Sequence, residues 1–261
     1  MPFTQLILLI VPTPVLCLIV VGGSAVLSVA TLLIVRRFVP HHRLKQHNDV
    51  TGSIFATVGV LYAVLLAFVV IVVWQDFDKS NMNVQKEANC VADLYRDSVA
   101  FSPDFKKETR ALLKDYTKTL VSEEWKSMER GEPSRRLTET VNKIWILYSS
   151  YLPKNATEQT FFEESVRKLN ELGESRRIRL ADSRTGIHPI LWFVLLTGGV
   201  VTMTFISFFG AENLTAQVIM ALLLAMLVGL ILFTIAAMDY PFTGSIAISA
   251  DAFKPLMSYI K

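Results

Sequence analysis

Four stretches of this chain, Val15–Val35, Ile54–Trp74, Pro189–Phe209 and Ala216–Met238, contain no Asp, Glu, Lys, Arg or His. Each reaches the roughly 20 residues that an α-helix needs to cross the hydrocarbon core of a bilayer. Backbone polar groups inside lipid must be satisfied within the segment itself, so helix is the only regular form open to such isolated apolar runs. The first run has an apolar lead-in from about Leu6, ahead of Pro12 and Pro14. It is expected to be retained rather than cleaved, because Met1–Gln5 offers no basic region and the run is too long for a signal-peptide core. Four crossings place both ends of the chain on one side, together with whatever is inserted between the second and third.

What is inserted there is almost all of the charge. Of 49 Asp, Glu, Lys and Arg residues, 39 lie between Asp76 and Gly186, as 20 basic and 19 acidic side chains. A net of +1 is a mixed, solvated surface, not the one-sided basic face of a nucleic-acid binder, so no nucleic-acid partner is expected. The expected fold is all-α: four transmembrane helices with an extramembrane helical bundle between helices two and three. The segments are 1–75 (two spans and a basic loop), 76–186 (helical domain) and 187–261 (two spans and a C-terminal tail). Two cysteines, Cys17 in an apolar run and Cys90 in the charged block, provide no disulfide framework.

The charged block reads as helix. Phe77, Val84, Ala88, Val91 and Tyr95 follow a heptad-like spacing. No Gly or Pro falls between Gly59 and Pro103, so the second span is expected to run on into this helix. Ser102-Pro103 opens the next helix, with Phe105, Leu112, Tyr116, Leu120 and Met128 inward and Gly131 at its end. A third runs from about Pro133 to before Pro153 through Leu137, Val141, Ile144 and Tyr148. A fourth starts near Thr157 with Phe162, Val166, Leu169 and Leu172, and Gly173 is a weak point in it.

Within the second span, Gly52, Ala56, Gly59, Ala63 and Ala67 make one stripe of small residues. Such stripes let helix backbones approach closely in lipid. The stripe reads first as a helix-packing seam. The alternative is that this helix lines a narrow apolar path on the axis of an oligomer, because apolar constrictions can gate ions by dewetting. Asn48 and Asp49 are the expected N-caps.

Charge collects at the membrane edges. His188-Pro189 opens the third span and Asp239 closes the fourth. A carboxylate at a helix C-terminus opposes the helix dipole and needs a partner. The candidates are His188, Arg176, Arg177, Arg179, Arg184 or a bound cation, with a ring of Asp239 at a pore mouth as the functional alternative. The first loop carries Arg36, Arg37, Arg43 and Lys45, against ten basic residues near the spans on the other side (Lys79, Lys86, Arg167, Lys168, Arg176, Arg177, Arg179, Arg184, Lys254 and Lys261). That tally favours a cytoplasmic helical domain, whereas the first helix alone places the loop there. The Arg176–Arg184 cluster is the one local basic surface suited to drawing anions.

Enzyme chemistry finds no footing. There is no phosphate-cradling glycine loop, Cys-x-x-Cys or His-Glu-x-x-His. His41, His42 and His47 read as solvated rather than metal-binding. Glu123-Glu124 and Glu163-Glu164 read as solvated helix faces, and Asn155-Ala156-Thr157 is only a glycosylation-type tripeptide. No catalytic residue, metal site or cofactor is expected.

Several segments carry a resemblance. Val39 to Val50 (with Pro40, His41, Asn48 and Asp49), Gly52-Ser53-Ile54-Phe55 and Gly59 to Phe68 resemble a bacterial bestrophin-like family of membrane proteins. Glu87-Ala88-Asn89, Leu94-Tyr95-Arg96 and Asp239 to Gly244 fit it too. True bestrophins are pentameric anion channels with cytosolic helical domains and a second span that forms the apolar neck. The resemblance therefore implies a homo-oligomer, with a pentamer as its natural form, in the inner (plasma) membrane. It places Val64, Phe68 and Val72 near the neck. The acidic calcium clasp of animal bestrophins is not recognisable, so calcium gating is not implied. The reading is an oligomeric, multi-pass, ion-conducting protein in contact with membrane lipid. The alternative is a non-conducting scaffold or sensor whose helical domain binds a partner.

Overall fold

The structure, a computed structural model, describes residues 3–259, without the side chains of Phe3 and His41. Lys261 and the outermost ends of the 1–75 and 187–261 segments lie outside the described residues. The chain is 84% helical, and no strand occurs among the described residues. The helices are α1 (Phe3–Ile10), α2 (Thr13–Phe38), α3 (His41–Lys45), α4 (Asn48–Asp97), α5 (Pro103–Thr119) and α6 (Trp125–Met128). There follow α7 (Arg135–Ser149), α8 (Ala156–Asp182), α9 (Pro189–Phe205), α10 (Leu214–Met238) and α11 (Lys254–Tyr259). Four of them, α2, α4, α9 and α10, are long and apolar enough to cross a membrane.

Most boundaries follow from local chemistry. Pro12 cannot continue a helix from the residues before it, so the lead-in at Leu6 is the separate helix α1 and not part of the first span. Asn48 is the first residue of α4, not its cap. Its side-chain amide exchanges two hydrogen bonds with Gly210, accepting from the backbone N–H at 2.8 Å and donating to the carbonyl at 3.1 Å. Asn155 caps α8 by accepting from the Glu158 N–H at 2.8 Å, which gives the glycosylation-type tripeptide a plain structural role. Gly173 does not interrupt α8, which runs its full 27 residues. Gly131 follows α6 at φ +73°, a conformation that only glycine adopts freely, and there the chain reverses toward α7.

The chain forms two compact units. The membrane unit holds Leu6–Gln75 and Gly186–Asp239. Its core is Tyr62, Leu66, Val69 and Val73 of α4 against Leu195 of α9 and Val228, Leu232 and Ile235 of α10. The most extensive pairing in the unit, α2 with α10, runs through small residues. Ala221, Ala225 and Gly229 recur every fourth position on α10 and face Ser24 and Ser28 of α2. A Cβ on Gly229 would lie 3.0 Å from the Val21 Cα.

The second unit holds Asp76–Thr185 together with the residues up to Gln5 and from Tyr240 onward. It packs the last part of α4 with α5, α7 and α8 around Val84, Val91, Leu94, Leu113, Tyr116, Ile144, Tyr148 and Leu169. Gln5 and the segment that follows Met238 are built into it. The Gln5 amide donates to the carbonyls of Ser183 at 3.1 Å and Glu129 at 3.3 Å. Trp125 sits edge-on to Phe242 and Phe253, and its indole N–H donates to the Ile248 carbonyl at 3.1 Å.

Candidate functional site

The membrane part of α4 presents three faces. One residue advances a helix by about 100°. Tyr62, Leu66, Val69 and Val73 therefore form one strip, and all four are buried against α9 and α10. The small-residue stripe Gly52, Ala56, Gly59, Ala63 and Ala67 lies about 90° around the helix from it. Val64, Phe68 and Val72 centre on a third direction, about 130° or more from either.

The stripe is not the packing seam inside the unit. Ala56, Ala63 and Ala67 are exposed, Gly52 and Gly59 are half-buried, and a Cβ added at Gly59 would meet nothing within 4 Å. Val64, Phe68 and Val72 are also open, at 48%, 66% and 53% exposure. Small residues are used for packing on α10 and α9 instead. The Tyr62 hydroxyl donates to the Leu195 carbonyl at 2.9 Å, and a Cβ on Gly198 would stand only 2.6 Å from the Tyr62 ring. Ser24-x-x-x-Ser28 and Ala221-x-x-x-Ala225-x-x-x-Gly229 were the sequence signals for the seam in use.

Asp239 finds its partners at the start of α9. One carboxylate oxygen accepts from the Ile187 backbone N–H at 2.6 Å, and the other from the Trp192 indole N–H at 3.2 Å. A carboxylate at the C-terminus of α10 is thus set beside donors at the positive end of another helix dipole. His188 caps α9, its Nδ1 accepting from the Ile190 N–H at 3.4 Å.

Two of the four arginines proposed as partners for Asp239, Arg176 and Arg179, belong instead to a buried ion-pair core in the second unit. Arg179 of α8 is fully buried and binds Glu87 of α4 through Nε at 2.7 Å and Nη2 at 2.9 Å, and reaches Glu124 at 2.8 Å. Arg176 holds the same Glu124 through Nε at 3.1 Å and Nη2 at 2.6 Å. Tyr116 donates to Glu87, the Ser134 N–H donates to Glu124 at 3.1 Å, and Trp125 lies against the Arg179 guanidinium at 5.3 Å. Arg184 donates to the Gly131 carbonyl at 2.6 Å, and Arg177 is exposed.

Two readings of the sequence are corrected here. Glu124 is not on a solvated face but wholly buried, at the end of a π-helical turn, Leu120–Glu124, that joins α5 to α6. The Arg176–Arg184 cluster is not a free basic surface, since two of its four charges are neutralised inside the unit. Burial alone would raise the Glu124 carboxyl, but the hydrogen bonds from Arg176 and the charges of Arg179 and Arg176 outweigh it and hold it below its usual value. Burial pushes Tyr116 well above the ordinary phenol range, with the Glu87 charge adding to it, so it remains a donor. Among the described residues no group of three or more His, Cys, Asp or Glu is placed to hold a metal ion.

Four membrane-length helices and a separately cored charged unit define an all-α membrane protein. Residues 22–253 match the family described as Bestrophin-like domain, and the chain belongs to that family. No curated protein matches the sequence. The fold is similar to that of a bacterial bestrophin homolog from Klebsiella pneumoniae, seen in crystal structures that each carry a different point mutation. One aligns at TM-score 0.67 and 12% identity over 94% of this chain and 98% of that one. Another aligns at 0.64 and 13% over 94% and 97%, and a third at 0.61 and 12% over 93% and 96%. The likeness is one of fold, with few residues shared.

Proposed function

We propose that the protein is a homo-oligomeric ion channel that passes anions across the inner membrane, with α4 nearest the axis and Val64, Phe68 and Val72 forming an apolar neck. The observation that carries this reading is the exposure of two faces of α4. A helix that packs only within its own subunit needs one inward face and can leave the rest to lipid. A helix in a ring needs three: one toward its own subunit, one toward its neighbours and one toward the axis. The Tyr62–Val73 strip serves the first. The Gly52–Ala67 stripe suits a close helix neighbour from another copy, and the Val64–Val72 face suits a narrow path that ions cross when it wets. Family membership supports the same reading, and a five-copy ring with the helical domain in the cytoplasm is its natural form.

The test is the purified full-length protein in planar bilayers. Discrete currents that depend on the protein and run down when Val64 and Phe68 are replaced by bulkier Trp support the proposal. An intact oligomer that stays silent across salt, voltage and pH overturns it. A partner cross-linked to residues 76–186 of that silent oligomer would then establish the scaffold or sensor reading instead.

A further inference from the structure

Asp97 is the last residue of α4, and it is buried, at 4% exposure. One carboxylate oxygen accepts from Arg96 Nε at 3.1 Å, while the other, Oδ2, has no hydrogen-bond partner among the described residues. A carboxylate can only accept, so a buried oxygen of this kind needs a donor from elsewhere. Tyr148 is a neighbour: burial pushes its phenol up to about 12, and the Asp97 charge adds to that. Yet neither its hydroxyl nor those of Thr109 and Ser165, all buried, donates to Oδ2. We infer that the cavity beside Asp97 is a binding site for a small organic ammonium ion, whose charge sits on Oδ2 and whose hydrocarbon part lies on Phe161. The site falls wholly within the second unit and stands whether or not the protein conducts.

The cavity is open, about 520 Å³ in volume, and lined by Arg96, Asp97, Val99, Ala100, Thr157 and Phe161. That size suits a small molecule. The turn after α4 and the first turns of α8 thus bring apolar side chains beside one carboxylate. Val99 and Phe161 are 60% and 39% exposed, and an aromatic ring attracts a cation as well as hydrocarbon.

The surrounding charges set the sign of the ligand. Asp97 and Asp93 share Arg96, at 3.1 and 3.2 Å. Lys168 joins Asp93 at 3.4 Å to Glu171 at 3.3 Å, and Arg167 joins Glu171 at 3.6 Å to Glu164. Four carboxylates are therefore served by three cations, and Asp97 stands at one end of the chain of pairs. Arg110 of α5 is turned instead to the Ser98 hydroxyl, at 3.0 Å, and to the Tyr95 ring, at 4.2 Å. A ligand cation completes this network, whereas an anion would be repelled by it. Oδ2 is reached when Arg96 turns aside. Its side chain is 66% exposed, so its pairs resist little, and Asp93 can retain it.

Isothermal titration of the full-length protein in detergent with phenethylammonium chloride tests the site. Saturable binding with a Kd of about 1 mM or tighter is expected for a ligand of this size. Phenethyl alcohol and phenylacetate, of similar shape but without the positive charge, should bind at least about tenfold more weakly. Asp97→Asn keeps the shape and the acceptor for Arg96, and should weaken the ammonium by about tenfold or more. Phe161→Ala should weaken it about threefold or more, and Arg96→Ala should tighten it by removing the competing guanidinium. Uptake of the amine by detergent appears equally in the Asp97→Asn protein and is subtracted with it. Where Asp97→Asn does not fold, Phe161→Ala and Arg96→Ala, at exposed side chains, read the same site through their opposite shifts. Absence of saturable binding to the wild type, equal binding of the alcohol, no change in Asp97→Asn, or weaker binding in Arg96→Ala overturns the assignment.

Discussion

Glu124 is fully buried, and a carboxylate without water is destabilising unless its charge and lone pairs are met. Here Arg176, Arg179 and the Ser134 N–H meet them. Its folded pKa lies below the ordinary 4.5, so the ionised form is the one that folding favours. That stability is present above about pH 4.5 and is lost as pH falls through the lower folded value. The thermal midpoint of the purified protein should therefore drop on acidification below that point. Glu124→Gln should start lower at pH 7, by up to about 3–5 kcal/mol, and show a flatter acid limb; an acid limb as steep as the wild type's would refute the assignment. Gly198 is the counterpart in the membrane unit. Gly198→Ala pushes a methyl against the Tyr62 ring and should cost more stability than Tyr62→Phe, which loses only one hydrogen bond worth about 0.5–1.5 kcal/mol. Comparing detergent melting curves of the two variants checks the order. The ion-pair core was partly legible in the sequence. Glu124 lies four residues after Leu120 and four before Met128, and Arg176 and Arg179 continue the stripe of Leu169 and Leu172. Charges that fall on an apolar stripe, two acids and two bases, are a pairing signal; reading Glu123-Glu124 as a local doublet hid it.

At the scale of elements, α4 and α10 use the same kind of sequence for different ends. Both carry small residues at helical spacing, but only the α10 set is consumed within the subunit, against Ser24 and Ser28 of α2. Ala225→Leu should therefore disrupt the subunit itself, seen as lost expression or a collapsed melting curve. Ala63→Leu adds the same bulk to an exposed site. It should leave the subunit folded while shifting it from oligomer to smaller species on size-exclusion chromatography with light scattering. Equal damage from both substitutions would mean that the α4 stripe has no role between copies. The spans were readable from composition because charge is excluded from lipid-crossing segments. Which small-residue stripe packs on which helix was not, since spacing defines a face but not its partner. Asn48 shows the same gap at a helix end: its residue type suits a cap, yet its amide is taken by Gly210, 162 residues away in sequence.

For the whole molecule, the proposed conduction can be tested at one face of the membrane unit. The membrane unit carries an exposed apolar face at Val64, Phe68 and Val72. The width and wetting of the proposed path should be governed by this face. Phe68→Ala removes most of a ring that is 66% exposed in the subunit, so the fold should tolerate it. In a ring of subunits it would widen and more readily wet the constriction. Single-channel conductance is expected to rise several-fold, on the order of the change that dewetting barriers produce, while the chloride-to-potassium ratio stays near the wild-type value. If Phe68→Ala shifts selectivity as much as conductance, the neck itself reads the ion; if it changes neither, Phe68 faces lipid and α4 does not line the path through this face.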